Sequence, residues 1–570
     1  MRLKFLQLFI ISVFLFLVIS LINIEIIRGI KYRELSQKNC IRLIPQPGAR
    51  GNILDRNGKA IATSAISYDV VILPQESGQL DHTLASLSRI TGISLTDLKG
   101  KFIKNYLFPS VPVTLVKNIS REKAITLEEM KPDLDGVIVQ PVPLRQYPFG
   151  KLAAHVLGYL SEIDRWRLTK LEDYGYKTKD VVGFGGVEEK YDYYLRQEDG
   201  GLSVEVDHRG RFNRVVGFKP PSSGKNIQLS LDADIQKIVE DNLGEKKGSV
   251  VMLEPYTGEI LAMASKPDFD PAVFAEKENA KMNSYLSDPA APLFNRAISA
   301  VYPPGSVFKP VIACAGLETG KLNSGTSFFC PGSLTIGRRQ FKCWDTHNQQ
   351  NLKEGIAHSC DVYFYHAGLL LGPQMIYDYA LKLGLARPTG IELPYEAAGF
   401  IPNPLWKKIY RFQNWYDGDT ANLAIGQGEV LTSPLQIARM MAVFANGGKL
   451  VTPYLIRAID TEAVWLQHRK VTDLHIKERN LNIVRAGLRA VVSDGAGTAN
   501  VLASLPVNVA GKTGTAQIDE IRAHGWFAGF FPYEKPKFVI CVFLERGEHG
   551  YVACVVAKQI INAMVQKGLL

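Results

Sequence analysis

Runs of like charge, low-complexity tracts and clustered basic patches are all missing from this 570-residue sequence. Without the first two, no segment reads as a disordered tail. Without the third, a net charge of +10 argues against nucleic acid, because Lys and Arg are dispersed along the chain. Anionic lipid and an acidic wall polymer stay open as partners of that charge. Cysteine is scarce and odd in number: Cys40, Cys314, Cys330, Cys343, Cys360, Cys541 and Cys554. An odd count leaves at least one thiol without a disulfide partner in an exported chain, and most read as small buried apolar residues. Only one stretch is long and apolar enough to span a bilayer as a helix. Composition is otherwise that of a globular protein, 46% apolar and 21% charged. At about 150 residues per domain, the length implies two to four folded units.

What is present begins at the N-terminus. Phe5 to Ile22 is an uncharged, mostly apolar run of 18 residues, the lower limit for a spanning helix. Arg2 and Lys4 precede it, which leaves the N-terminus in the cytoplasm by the positive-inside rule. Ile22, Asn23, Ile24 and Glu25 follow without a small-x-small site, so the segment reads as an uncleaved anchor. Everything after it is expected outside the membrane.

Beyond the anchor, Leu43 to Ala49 is extended and contains Pro45 and Pro47. Arg50 to Gly58 reads as a strand entering an Asn-Gly turn. Short strands and helices then alternate as far as Pro221, with Ser120 placed to cap a helix to Met130 and another helix inside Leu152–Glu172. Pro220-Pro221-Ser222-Ser223-Gly224 is a turn-rich linker. After it come a strand (Asn226–Leu231), a helix capped by Asp232 (Ala233–Leu243) and two apolar strands (Gly248–Leu253, Glu259–Ser265). The C-terminal end repeats the theme, with strands at Trp526–Phe530 and Phe538–Leu544 and a closing helix at Val552–Val565. Strand pairs flanking a helix-rich middle predict an α+β domain with one antiparallel sheet.

Three short constellations in this second region carry chemistry. In Tyr302-Pro303-Pro304-Gly305-Ser306-Val307-Phe308-Lys309, the prolines delay helix onset, so Ser306 falls at a helix N-terminus with Lys309 on the same face. A serine hydroxyl needs a base within hydrogen-bond reach, and a lysine at i+3 supplies one if burial and the helix dipole make it give up its proton. The second constellation is Ser359-Cys360-Asp361. The third is Lys512-Thr513-Gly514-Thr515, on an apparent strand from Val507 to Ile518. There Gly514 leaves room for a substrate backbone, the threonines offer hydroxyls and Lys512 offers a fixed positive charge. Strand alternation puts Lys512 and Thr513 on opposite faces, so both serve one ligand only at a sheet edge or a twist. Each motif alone is weak, since chance produces it often.

Together, in this order, they match the signature of penicillin-binding proteins and serine β-lactamases. The chain also resembles class B penicillin-binding proteins at Arg50–Gly58, Arg145–Pro148, Ala154–Tyr159, Gly186–Glu188 with Tyr191-Asp192 and Leu195-Arg196, and in Trp415–Thr420 followed by Ala424–Gly428. The form of the first motif and Asp361, where most relatives carry Asn, look most like the elongation-specific type, penicillin-binding protein 2. The resemblance implies a single transmembrane helix (1–25), an elongated pedestal domain (26–221) and a transpeptidase domain (222–570). It implies a serine-type D,D-transpeptidase that cross-links peptidoglycan stem peptides during cell elongation and is inhibited by β-lactam antibiotics. Ser306 would attack the penultimate D-alanine, Lys309 would take its proton and Ser359 would relay a proton to the leaving D-alanine. Ser306 and Thr515 N–H groups would form the oxyanion hole, and Lys512, Thr513 and Thr515 would hold the terminal carboxylate. Asp361 is expected to pair with Lys512, since an unpaired carboxylate would repel an acidic peptide. The implied partners are lipid-linked glycan strands, a SEDS-family glycosyltransferase in the membrane and a rod-complex scaffold protein. The catalytic domain would lie on the periplasmic side of the inner membrane.

Cys330, Cys343, His347 and Cys360 make a complete tetrahedral set for one structural zinc, although their spacing fits no standard zinc module. Some elongation-type relatives place a metal ligand inside the second motif. A Cys330–Cys343 disulfide and free buried thiols are the alternatives, and His358 reads as a neighbour of the second motif. A division-specific class B transpeptidase has the same chemistry and differs in its partners. A β-lactamase or antibiotic sensor would not need the bulk from Ile26 to Pro221, and a scaffold that kept the fold would bind no penicillin.

Overall fold

The structure is a computed structural model that describes the chain except residues 1, 34–40, 47, 107, 109–110, 179, 207–211, 465–469, 518–521 and 548. Cys40, Pro47 and Ile518, named above, lie outside the described residues. At the N-terminus, Arg2–Ile22 is an α-helix continued by a π-helical turn, Asn23–Ile27. Leu3–Ile27 is the one helix among the described residues long and apolar enough to cross a membrane, and it is not packed inside the protein.

The chain forms two compact units. One comprises Met1–Gly51, Ser64–Leu144 and Arg196–Gly224; the other comprises Asn52–Thr63, Arg145–Leu195 and Lys225–Leu570. In the first unit, Ile41–Gln46, Gly200–Val206 and Phe212–Lys219 form an antiparallel three-stranded sheet. A separate core, including Val70, Ile72, Leu84, Leu87, Leu98 and Leu127, packs the helices Leu80–Thr91, Leu95–Asn105 and Arg121–Glu129 against strands. Ser120 caps the last of these helices by accepting from the Lys123 N–H, as its position suggests.

The second unit is built on a five-stranded antiparallel sheet. Its order is Ile260–Lys266, Gly248–Leu253, Phe538–Leu544, Ala523–Phe531 and Ala510–Gln517, so the strand bearing Lys512 lies at an edge. Every residue of Gly248–Leu253 and Phe538–Leu544 is buried. Since successive residues face opposite sides, both faces are covered. Helices Ala233–Leu243 and Gly550–Gln566 pack on the sheet and on each other, and Pro434–Ala445 also packs on the sheet. Asp232 caps the first of these, accepting from the Asp234 and Ile235 N–H groups. The α+β reading therefore holds.

The unit is discontinuous in sequence, so one boundary near Pro221 orders the chain but does not describe its packing. The Asn52–Thr63 hairpin belongs here because Ile53 pairs in parallel with Ile227, and Asp55 accepts from the Asn57, Lys59 and Ala233 N–H groups. Tyr147, Val156, Leu157, Val187 and Leu195 share one core with the sheet. Arg145, 2% exposed at its side chain, meets the fully buried Glu188 at 2.6 Å. Removing one member of such a pair strands a buried charge, at a cost of about 3–5 kcal/mol. The helical pattern inside Leu152–Glu172 resolves into Ala154–Leu157 and Arg165–Leu171, separated by the strand Tyr159–Glu162.

Candidate active site

Ser306 lies in a 3-10 turn, Gly305–Phe308, that leads into the helix Lys309–Glu318, with Pro310 at its start. Pro310 costs nothing there because the first N–H groups of a helix have no partner inside it. The Lys309 N–H donates to the Ser306 carbonyl, so the two residues stand one 3-10 turn apart, where side chains at i and i+3 eclipse. Val307 and Phe308, both fully buried, fix the turn from below. From above, the Gly305 N–H donates to the Gly426 carbonyl and the Trp526 indole N–H to the Pro303 carbonyl.

Lys309 is fully buried, and each of its three N–H donors has an acceptor within reach. Nζ is 2.7 Å from the Ser359 carbonyl, 3.1 Å from Ser359 Oγ and 2.7 Å from Asp361 Oδ1. That is the full donor capacity of an ammonium. Ser359 adopts a left-handed backbone, φ +53°, which costs energy for a residue with a Cβ and clusters at functional sites. It follows the helix Leu352–Ala357, whose N-terminus carries an Asn351–Glu354 capping box, and precedes Asp361–Leu371, capped by the Cys360 sulfur. Burial pushes the Asp361 carboxyl up, and the Lys309 ammonium opposes that shift.

The third motif closes the other wall. Lys512 is fully buried, and Nζ donates to the Thr513 carbonyl at 3.1 Å and to Thr513 Oγ1 at 3.4 Å. Burial first, and the Lys309 charge second, depress the Lys512 ammonium well below the ordinary lysine range. Two expectations change here. Asp361 pairs with Lys309, not Lys512, because Asp361 opens its helix directly against the buried Lys309. Gly514 is small for a different reason from the one expected. A Cβ there would lie 2.8 Å from the Pro304 carbonyl and 3.1 Å from Val307 Cγ1, so glycine lets the edge strand close on the Ser306 turn. The opposite-face concern dissolves because this strand is an edge and the Lys512 amine folds back to its neighbour's hydroxyl.

Two residues outside the motifs hold this wall. Thr498 Oγ1 is 2.7 Å from Thr513 Oγ1, and Gln427 Nε2 donates to the Thr515 carbonyl at 3.3 Å. Thr515 Oγ1 accepts from the Gly550 N–H at 3.1 Å. Gln427 was visible only as part of the Ala424–Gly428 resemblance, and Thr498 carried no sequence signal.

Beside the second motif, ligand atoms of Cys330, Cys343, His347 and Cys360 all lie within 4.8 Å of one another. His347 Nδ1 is 3.7 Å from the Cys330 sulfur and 3.5 Å from that of Cys343. His347 Nε2 is buried without a partner among the described residues. Cys330, Cys343 and Cys360 are free thiols, so no Cys330–Cys343 bridge is present. Hydrogen bonds from Cys360 and His347 pull the Cys343 thiol down, whereas the bond to Cys343 and burial push Cys360 up. Three thiols and an imidazole converging at a partly buried corner, with Cys330 and Cys360 buried and Cys343 and His347 half-buried, have the donor set of a tetrahedral zinc site. The Cys343 sulfur also accepts from the Asp361 N–H at 3.2 Å, which ties the cluster to the second motif. His358 stands outside it, with Nδ1 2.8 Å from Gln350 Oε1.

An edge strand with Lys-Thr-Gly, a buried lysine one turn after a serine and a second serine on that lysine define a serine acyl-transfer enzyme. The family described as penicillin binding protein transpeptidase domain matches residues 248–566, and that described as penicillin-binding protein dimerisation domain matches residues 45–229. The chain belongs to the penicillin-binding protein transpeptidases. Peptidoglycan D,D-transpeptidase MrdA of Acinetobacter baumannii is 32% identical over 93% of this chain and 82% of its own length. The Escherichia coli protein of the same name is 30% identical over 96% of this chain and 91% of its own. Among solved structures, penicillin-binding protein 2 of Helicobacter pylori in complex with MreC has a TM-score of 0.81 at 28% identity, covering 93% of this chain and 99% of that one.

Proposed function

We propose that this protein is an elongation-type peptidoglycan D,D-transpeptidase that cross-links stem peptides through an acyl-enzyme on Ser306. The observation that carries the reading is the Lys309 amine, buried one turn after Ser306 and 3.1 Å from Ser359 Oγ. Ser306 Oγ attacks the carbonyl of the penultimate D-alanine, and its proton passes to Lys309. Lys309 serves as base once it has lost its own proton, which Asp361 restrains by pairing with the ammonium. The Ser359 hydroxyl, bonded to Lys309 Nζ, passes a proton to the leaving D-alanine amine. Ser306 and Thr515 N–H groups stabilise the oxyanion, a contribution of about 3–4 kcal/mol per donor in such sites. The substrate peptide adds along the Ala510–Gln517 edge, with its terminal carboxylate taken by Thr513 and Thr515 hydroxyls and the Lys512 amine. An amine of a second stem peptide then displaces Ser306 and forms the cross-link.

The N-terminal helix fits a single-pass anchor in the inner membrane, and Arg2 and Lys4 ahead of it favour the periplasmic side for the catalytic unit. The pedestal, residues 26–221, most of which lies within the dimerisation-domain match, is assigned to partner contacts. Those partners are a SEDS-family glycosyltransferase that supplies glycan strands and, as in the MreC complex of the H. pylori relative, a rod-complex scaffold. The function test is the full chain in membranes with such a polymerase and lipid-linked precursor. Cross-linked peptide dimers should form, and penicillin should remove them without stopping glycan synthesis. Uncross-linked glycan in untreated samples would refute the assignment.

Cys330, Cys343, His347 and Cys360 are assigned to one structural zinc ion. A four-ligand site leaves no open position, so the metal would hold the second motif in place and take no part in acyl transfer. Elemental analysis of protein purified without added metal should give about one zinc per chain, and Cys330→Ser should lower both that content and the thermal midpoint. Metal-free wild-type protein of full stability would reject the site.

A further inference from the structure

Cys360 stands between the two partners of the catalytic lysine. Ser359 offers Lys309 Nζ its carbonyl and hydroxyl, and Asp361 offers its carboxylate. A shift of Cys360 is therefore passed to the residue on either side. Its sulfur caps the helix Asp361–Leu371 by accepting from the Tyr363 N–H at 3.4 Å, and the Cys343 sulfur accepts from the Asp361 N–H at 3.2 Å. Two sulfurs thus hold the first turn of the helix that carries Asp361, and their thiols are hydrogen-bonded to each other.

The two thiols differ in access. Cys360 and Cys330 are fully buried, whereas Cys343 is the one described cysteine that is only half-buried. It follows the hairpin of Ser333–Ile336 with Arg339–Lys342, in which no residue is buried. A reagent from solvent meets Cys343 first, and Cys360 is the thiol in contact behind it. Cys330 instead faces the Asp345 carbonyl and the His347 ring, both at 3.7 Å from its sulfur.

The geometry points to Cys343 and Cys360 as a site of reversible disulfide modification, one that stops acylation when the cluster holds no zinc. This rests on the zinc and transpeptidase readings and on the periplasmic placement, since disulfides form and persist in that compartment. The oxidant is a second disulfide, of a small molecule or a protein. The Cys343 sulfur attacks one of its sulfurs and expels the other as a thiolate, which takes up the Cys343 proton. The Cys360 sulfur then attacks Cys343 in the mixed disulfide, expels the second thiolate and gives it a proton. Two protein thiols and one disulfide become one protein disulfide and two thiols, and two electrons pass to the oxidant. The new bond is about 2.05 Å long, far shorter than a contact between thiols. Closing that gap draws Cys343 off the Asp361 N–H or Cys360 off the Tyr363 N–H, so Asp361 and Ser359 shift against Lys309. A misplacement of about 1 Å in such a site costs on the order of a hundredfold in rate. With zinc bound, both sulfurs are committed to the metal and the oxidant finds no free thiol.

The test uses the full chain in detergent, either zinc-loaded or stripped by a chelator under reducing conditions, and oxidised glutathione as the probe. Tryptic mapping reads the bond, because Cys330, Cys343 and Cys360 fall on different peptides. The second-order rate of penicillin acylation reads its consequence. Stripped, reduced protein should still label. After oxidation its rate should fall by about a hundredfold, with Cys343 joined to Cys360, and a reductant should restore it. Zinc-loaded protein should keep its rate under the same treatment. A different pairing, no pairing, or a Cys343–Cys360 bond that leaves labelling unchanged would overturn the proposal. So would equal oxidation with and without zinc. Stripped, reduced protein that fails to label would also overturn it, since metal loss and not the bond would then be what stops the enzyme. Zinc-loaded, untreated protein that takes no penicillin would remove the transpeptidase reading, and this one with it.

Discussion

Ser306→Ala should abolish covalent labelling by penicillin, and mass spectrometry of the wild-type adduct should place it on the tryptic peptide that contains Ser306. Loss of a catalytic nucleophile lowers turnover on the order of 10⁵-fold or more, which for a covalent label means no signal. No other serine in the described structure shares this setting. Ser359, the second candidate hydroxyl, already bonds Lys309 Nζ and is held in a left-handed backbone that points to a relay. The substitution should leave the fold intact, because the turn is fixed by Val307, Phe308 and the backbone bonds of Gly305, none of which involves the Ser306 hydroxyl. An adduct on another residue, or undiminished labelling of Ser306→Ala, would sink the assignment.

The Lys309–Asp361 pair gives the second large effect, and it has opposite outcomes for its two members. Lys309→Arg keeps a cation beside Asp361 but cannot act as a base near neutral pH, so acylation should fall by several orders of magnitude. Asp361→Asn removes the carboxylate that holds a proton on Lys309. Coulomb attraction for so close a pair is on the order of 4 kcal/mol at an effective dielectric near 20, before desolvation is subtracted. An ammonium without its carboxylate gives up a proton more readily. The sign follows: the acid limb of the acylation rate moves to lower pH in Asp361→Asn. In the wild type, burial raises the Asp361 carboxyl, so it protonates at a higher pH than an ordinary aspartate. Below that point wild type and variant should converge, because a protonated Asp361 and an asparagine are both neutral. Second-order acylation rates from about pH 5 to 9, a span that covers raised carboxylates and depressed lysines, check this. Superimposable profiles would mean that Asp361 is not coupled to the base.

The parts of this site that were legible are those fixed by local chemistry. A proline-delayed helix start put Ser306 and Lys309 together, and Asp232 and Ser120 announced their helices through capping. The strand Phe538–Leu544 and the helix Ala233–Leu243 were readable to the residue because unbroken apolar runs and caps mark their ends. What was not legible depends on contacts between distant segments. Lys309 and Asp361 are 52 positions apart, and only the folded chain shows that Asp361 faces Lys309 and not Lys512. The role of Gly514 likewise depends on Pro304 and Val307, more than 200 positions earlier. The Cys/His set was readable as a composition, but its convergence rests on the pairing of Ser327–Cys330 with Asn348–Asn351, which no periodicity in those polar strands announces. Thr498 and Gln427 escaped notice as individuals because their partners are a hydroxyl and a carbonyl on another strand.

The interleaved course of the chain restricts how the protein can be cut and recombined. Three separate stretches complete the catalytic unit, and the polypeptide leaves it twice on the way. A fragment beginning after Pro221 would lack Ile53 and Leu54 beside Ile227 and Gln228, and would lack the buried Tyr147, Val156 and Val187. Such a fragment starts life with an unpaired strand and an uncovered apolar face, both invitations to aggregate. Chimaeras between relatives meet the same constraint. A crossover at the proline-rich linker would mate one parent's sheet with the other's hairpin, whereas exchange of residues 52–63, 145–195 and 225–570 as one set keeps each core within a single lineage.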